Sequence, residues 1–99
     1  MIVLNDYLDY EDGKMSKADC RDRLIKIINR VADKTIDFDK YSKAPLTGDE
    51  IGIADYQMAY IVLEIMQEFQ VRFDAEDFKD YKFSTFESVV DIVREKLQS

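Results

Sequence analysis

The sequence predicts an all-α protein, a four-helix bundle with a long first loop and a short third helix. Three observations carry this prediction. Apolar residues recur at helical spacing in three stretches. Serine followed three residues later by an acid marks the start of two helices, at Ser16 and Ser84. Finally, 99 residues with one proline and three glycines allow a single small core and leave little room for long linkers or disorder.

Residues 1–14 form an acidic, tyrosine-bearing N-terminal extension. Val3, Leu4, Tyr7 and Leu8 have helical spacing there, so a short helix ending before Asp12-Gly13 is expected. The bundle domain, residues 15–99, opens at Ser16, with Asp19 completing an N-cap signal. Cys20, Leu24, Ile27, Ile28 and Val31 then make one apolar stripe, while Lys17, Arg21, Arg23, Lys26 and Arg30 mostly face elsewhere. That pattern predicts an amphipathic helix to about Asp33. Residues 34–53 read as a long loop with turn chemistry at Ala44-Pro45 and Thr47-Gly48. Ile36, Phe38, Tyr41, Leu46 and Ile51 are spaced to pin this loop onto the core.

A second helix is predicted from about Ala54 to Gln70. Its apolar positions nearly encircle it, which marks a helix that is buried or used as a binding face. Val71-Arg72-Phe73 is a brief extended link, and Asp74 to Phe78 predicts one short helical turn. Ser84-Thr85-Phe86-Glu87 matches a capping box and opens a last helix to about Gln98, with Phe86, Val89, Val90, Val93 and Leu97 as its buried stripe.

The formal charge of −7 argues against a nucleic-acid partner, because phosphate binding needs a basic face. The charge is unevenly spread: net −3 over residues 1–14, +3 over 15–35 and −7 over 36–99. A basic first helix on an acidic body either pairs internally or meets an acidic partner, and internal pairing is the expectation. One cysteine and no histidine exclude an internal disulfide and, in practice, a zinc site. No apolar run reaches the length of a membrane span. The start has neither a basic segment nor a small-residue cleavage site, so a cytoplasmic protein is expected.

Leu46-Thr47-Gly48-Asp49-Glu50-Ile51-Gly52-Ile53-Ala54-Asp55-Tyr56, running into an apolar helix that ends at Phe69, resembles the phosphopantetheine-attachment region of acyl and peptidyl carrier proteins. The resemblance covers about residues 16–98. It extends through Phe69 to Phe78, similar to the family's passage into its third helix, and through Lys82 to Val93, similar to its fourth-helix start. It implies the carrier fold, with Ile61, Ile65 and Phe69 as inward core positions. The family carries Asp-Ser-Leu where this chain reads Ala54-Asp55-Tyr56. The resemblance therefore puts Asp55 in the slot of the attachment serine, and a carboxylate cannot accept the arm by the usual phosphodiester chemistry. The chain also resembles carrier-related proteins that lack this serine and accompany bacterial peptide-maturation systems.

Two readings of Asp55 stand open. It is a first-turn acid stabilised by the helix dipole, or its charge mimics the phosphate a loaded carrier would hold. Tyr60, Leu63 and Met66 share one side of the second helix and are either core or a docking patch. Cys20 lies on an apolar stripe with no histidine to serve as base, which predicts a buried, inert thiol. Asp37/Asp39 and Asp74/Glu76/Asp77 lack a calcium-loop pattern and read as turns. None of Ser42, Ser84 and Ser88 suits a displaced attachment point. No nucleophile–base pair, metal cluster or phosphate loop is present in the sequence, so independent catalysis is not expected.

The function these residues and the resemblance imply is a non-catalytic, carrier-related interaction module without cofactor or metal. It would bind a biosynthetic or peptide-modifying enzyme through Ala54, Asp55, Tyr56, Tyr60, Leu63 and Met66. Two alternatives stay open: a working carrier with cargo at an unusual site, and a structural subunit that self-associates through its second helix.

Overall fold

The computed structural model describes residues 10–11, 14–81 and 83–98, and most of them are helical. In chain order the elements are β1 (Tyr10–Glu11), β2 (Lys14–Met15), α1 (Lys17–Ala32), α2 (Phe38–Tyr41), α3 (Asp55–Phe69), a 3-10 helix (Ala75–Tyr81) and α4 (Phe86–Gln98). The helix expected around Val3 to Leu8 lies outside the described residues. β1 and β2 form a two-residue antiparallel ladder, Tyr10 opposite Met15 and Glu11 opposite Lys14, and β2 packs against α4.

α1 starts as its sequence predicts. Ser16 is extended, and its hydroxyl accepts from the Asp19 N–H at 3.2 Å. The helix ends on Asp33, which takes the left-handed conformation (φ 57°) and donates back to the Arg30 and Asn29 carbonyls. Cys20, Leu24, Ile27 and Ile28 are buried; Ala32 extends the stripe, while Val31 is only half-buried. α1 packs against both α3 and α4 and so holds the bundle together.

The stretch 34–53 contains one element the sequence pattern did not predict. The Asp37 carboxylate accepts from the N–H groups of Asp39 and Lys40 at 3.1 and 3.2 Å, closing the single turn α2. That turn drives Phe38 inward, where its ring stacks on Phe86 at 4.3 Å between centroids. Ile36, Phe38, Leu46 and Ile51 are buried as their spacing predicts, Ile53 joins them, and Tyr41 packs half-buried against the core.

A second difference concerns the start of α4. The Ser84 carbonyl accepts from the Leu46 N–H at 2.7 Å, and Pro45 bridges Thr85 in antiparallel fashion. This long-range tie takes Ser84 out of the capping role. Thr85 caps instead: its hydroxyl accepts from the Ser88 N–H at 3.1 Å, and its own N–H donates to the Ser88 hydroxyl at 3.1 Å. The capping box predicted for Ser84 and Glu87 thus moves one residue along, to Thr85 and Ser88. The Glu87 N–H donates to the Ser42 carbonyl at 3.0 Å.

The short third helix is a 3-10 segment that runs further than the single turn expected from Asp74 to Phe78. It is opened by the Asp77 carboxylate, which accepts from the Asp74 N–H at 2.9 Å. The same carboxylate meets the Lys96 ammonium of α4 at 2.9 Å. Phe73, Phe78 and Phe83 cluster beneath it, with Phe83 buried and 5.3 and 5.2 Å from its two neighbours. Among the described residues no helix is long and apolar enough to cross a membrane.

Candidate functional site

The segment leading into α3 is fixed before the helix begins. The Ile53 N–H donates to the Leu46 carbonyl at 3.0 Å, so the loop pinned to α4 also pins the start of α3. Gly52 sits at φ 74°, a conformation a side chain would strain, and its N–H closes onto the Gly48 carbonyl at 2.6 Å. The Lys34 ammonium donates to the Ile51 carbonyl from the other side. Together these place Ile51 and Ile53 in the core and leave Ala54, extended and half-buried, as the N-cap of α3.

Alanine has no oxygen with which to cap. Only the return half of a capping box exists, the Gln57 carbonyl oxygen accepting from the Ala54 N–H at 2.9 Å. The first-turn N–H groups of Asp55, Tyr56 and Gln57 therefore have no capping side chain among the described residues. Asp55 is exposed in that first turn, where the positive end of the helix dipole favours its charge.

Around α3 the two faces differ sharply. Ile61, Ile65 and Phe69 are buried. At 3.6 residues per turn the opposite arc carries Asp55, Tyr56, Ala59, Tyr60, Leu63 and Gln67, all exposed, with Met66 half-buried at its edge and Leu63 near its middle. Tyr56 is 67% exposed, Tyr60 59% and Leu63 52%. Of the large apolar side chains left exposed among the described residues, only Phe78 lies off this arc. Fully burying one such side chain is worth about 1.5–3 kcal/mol, so three in one arc forgo several kcal/mol of folding stability.

The six residues singled out from the sequence are thus brought together, Ala54 to Tyr56 at the mouth of the helix and Tyr60, Leu63 and Met66 along its outer side. Beside them lies a groove of about 370 Å³ lined by Leu63, Met66, Gln67, Gln70, Val71 and Arg72. The acids nearer α1 are not free: Glu64 pairs with Arg30 at 3.2 Å and Glu68 with Arg23 at 3.3 Å. With Arg21 on Asp39 at 3.5 Å, the basic first helix meets its acids inside the chain, as its charge pattern predicts. The exposed arc is consequently aromatic and uncharged along its middle.

A second groove of about 320 Å³ was not anticipated. Met58, Ala59 and Val62 of α3 face Leu46, Phe78 and Phe83 across it. Met58 and Val62 are four residues apart, which puts them on one side of the helix, but only the fold supplies the opposite wall.

The remaining candidates are occupied structurally. Cys20 is fully buried, and burial pushes its thiol up to about 11 against the smaller opposing pull of Arg94 and Arg23. A thiol so held is protonated at neutral pH and is no nucleophile. Asp37 caps α2, Asp77 opens the 3-10 helix, and the Ser88 hydroxyl belongs to the α4 cap. Among the described residues no group of three or more histidine, cysteine, aspartate or glutamate side chains could hold a metal ion.

No protein-family model matches this chain, and no curated protein matches it.

Proposed function

We propose that this chain is an acyl-carrier-related protein without the prosthetic arm, serving as a docking module for a biosynthetic or peptide-modifying enzyme. The observation that carries the reading is the start of α3. There an exposed aspartate stands in the slot that the resemblance assigns to the attachment serine, at the mouth of a helix whose outer arc exposes Tyr56, Tyr60 and Leu63. Asp55 supplies, at the uncapped helix start, a fixed negative charge of the kind a phosphodiester would bring. The aromatic arc supplies apolar area, and tyrosine gives much of it at little entropic cost because it has two side-chain torsions. The enzyme docks on Ala54, Asp55, Tyr56, Tyr60, Leu63 and Met66, and the chain itself performs no chemistry.

The test is intact mass after incubation with coenzyme A and a promiscuous phosphopantetheinyl transferase, for wild type and Asp55→Ser. The expected result is an unmodified wild type and a modified variant. Gain of the arm by the wild type overturns the reading.

The groove between Met58, Val62, Phe78 and Phe83 favours a second reading, a carrier that holds an acyl chain without a covalent bond. Native mass spectrometry with a medium-chain fatty acid separates the two, since only the second predicts a retained ligand.

A further inference from the structure

The outer arc of α3 is complementary to itself. Its N-terminal end is a protrusion, Tyr56 and Tyr60 standing out from the helix, with the unpaired carboxylate of Asp55 beside them. Toward and just past its C-terminal end lies a shallow, open groove lined by Leu63, Met66, Gln67, Gln70, Val71 and Arg72. Neither Asp55 nor Arg72 has an ion-pair partner among the described residues, and both are exposed. Glu64 and Glu68 add no net charge, because Arg30 and Arg23 neutralise them at the edge of the arc.

We infer that a second copy of this chain covers the arc, with the two α3 helices antiparallel about a twofold axis near Leu63. In that arrangement each contact occurs twice, as closed twofold symmetry requires. Leu63 meets its own counterpart near the axis. Tyr56 and Tyr60 of one copy enter the groove beside Met66 and Gln70 of the other, and Asp55 meets Arg72. Both shape and charge run head to tail along the helix, so reversing one copy satisfies both, whereas a parallel pairing would set knob on knob and like charge on like charge. The tyrosines are suited to this, being the residue type that anchors interface centres.

This pairing uses the face assigned to enzyme docking but does not depend on the enzyme. It adds a consequence for that reading: the two occupants compete, so docking requires the pair to come apart.

The experiment is sedimentation velocity across a hundredfold range of concentration, on the full chain and on two charge reversals, Asp55→Arg and Arg72→Asp. Wild type should show a concentration-dependent monomer–dimer equilibrium. Each reversal alone places two like-charge contacts in the dimer and should weaken it about tenfold or more. An equimolar mixture of the two variants restores both contacts in the mixed dimer and should sediment like wild type. A wild type monomeric throughout, a dimer indifferent to both reversals, or a mixture as weak as its components would each overturn the proposal. Should Asp55→Arg disturb the helix start, visible as lost helical circular dichroism, Leu63→Arg at the middle of the arc carries the test and should leave a folded monomer. The mass experiment reads separately: a modified wild type sinks the docking-module reading and leaves the dimer standing, and a monomeric, unmodified wild type does the reverse.

Discussion

α3 begins on Ala54, which has no side chain to cap it; α4 begins on Thr85, whose hydroxyl and N–H are both engaged by Ser88. α3 shows solvent Tyr56, Tyr60 and Leu63, whereas the exposed positions of α4 are Glu87, Asp91, Glu95 and Gln98. α3 has no basic residue in its last turn, and α4 has Lys96, tied to Asp77. Inside, the two are alike: Ile61, Ile65 and Phe69 bury against the same core as Val89, Val90 and Val93. Along α4 the start is closed by a reciprocal cap and the outer face is charged. α3 departs from that economy at both its start and its outer face, and those departures coincide with the candidate site. In an otherwise consistent fold, such departures from local rules are where a functional surface is sought.

The sharpest way to break this comparison is to truncate the two sides of α3 separately. Ile65 is fully buried, so Ile65→Ala should cost about 2–5 kcal/mol, the lost transfer energy plus the cavity left behind. Leu63→Ala, on the outer arc, should change monomer stability by no more than about 0.5 kcal/mol. Urea denaturation at a concentration that keeps the chain monomeric measures both. A large loss on Leu63→Ala would mean that the arc is packing surface and that the contrast with α4 is false.

Helix starts come next in size. Thr85→Ala removes a reciprocal cap and should cost about 1 kcal/mol. Ala54→Ser introduces an oxygen at an extended N-cap position that has none, and should gain about 0.5–1 kcal/mol. Shifts of opposite sign in the denaturation midpoint, with unchanged slope, are the expected result. If Ala54→Ser stabilises the fold and weakens enzyme docking or self-association, the missing cap is part of the site and not an oversight in the helix.

How much of this was legible in the chain follows from the range over which each signal acts. The inward stripes of α1, α3 and α4 are written in a 3.6-residue period, and Cys20, Leu24, Ile28, Ile61, Ile65, Val89 and Val93 are buried as that period demands. The start of α1 was equally local, one serine three residues before Asp19. The start of α4 was not. The hydrogen bond from Leu46 to Ser84 links segments far apart in sequence, and the local pattern, an acid three residues on, pointed to Ser84 where the fold uses Thr85. α2 is local but too brief for periodicity, its only sign being Asp37 before two free N–H groups. The candidate residues were legible as a set and not as a surface. A helix apolar most of the way round does not say which arc faces inward; the packing of α3 on α1 decides that Tyr60 and Leu63 point out. The neutralisation of Glu64 and Glu68 by Arg30 and Arg23 is tertiary in the same way.

The smallest effect lies at the far end of α4 and concerns acid. Burial pushes the Asp77 carboxyl up, but the Asp74 N–H and the Lys96 ammonium together outweigh it and hold the group below its ordinary value of 3.8. Lys96 is correspondingly raised by the hydrogen bond to Asp77. Because the folded chain binds this proton less readily than the unfolded chain, the contribution is present above about pH 4 and is lost as pH falls below it. Asp77→Asn, which keeps the shape and the acceptor for the Asp74 N–H, should therefore flatten the acid limb of the stability curve while leaving helicity intact. The Glu68–Arg23 pair at the last turn of α3 is longer and more exposed than the Asp77–Lys96 pair, so acid should loosen the junction of the 3-10 helix with α4 before it touches the outer arc of α3. Amide exchange at pH 3 and pH 7 resolves the order: protection near Asp74 and Asp77 should fall first in wild type, and at both pH values alike in Asp77→Asn. Equal loss along both helices would mean that the Asp77–Lys96 pair contributes nothing that α3 lacks.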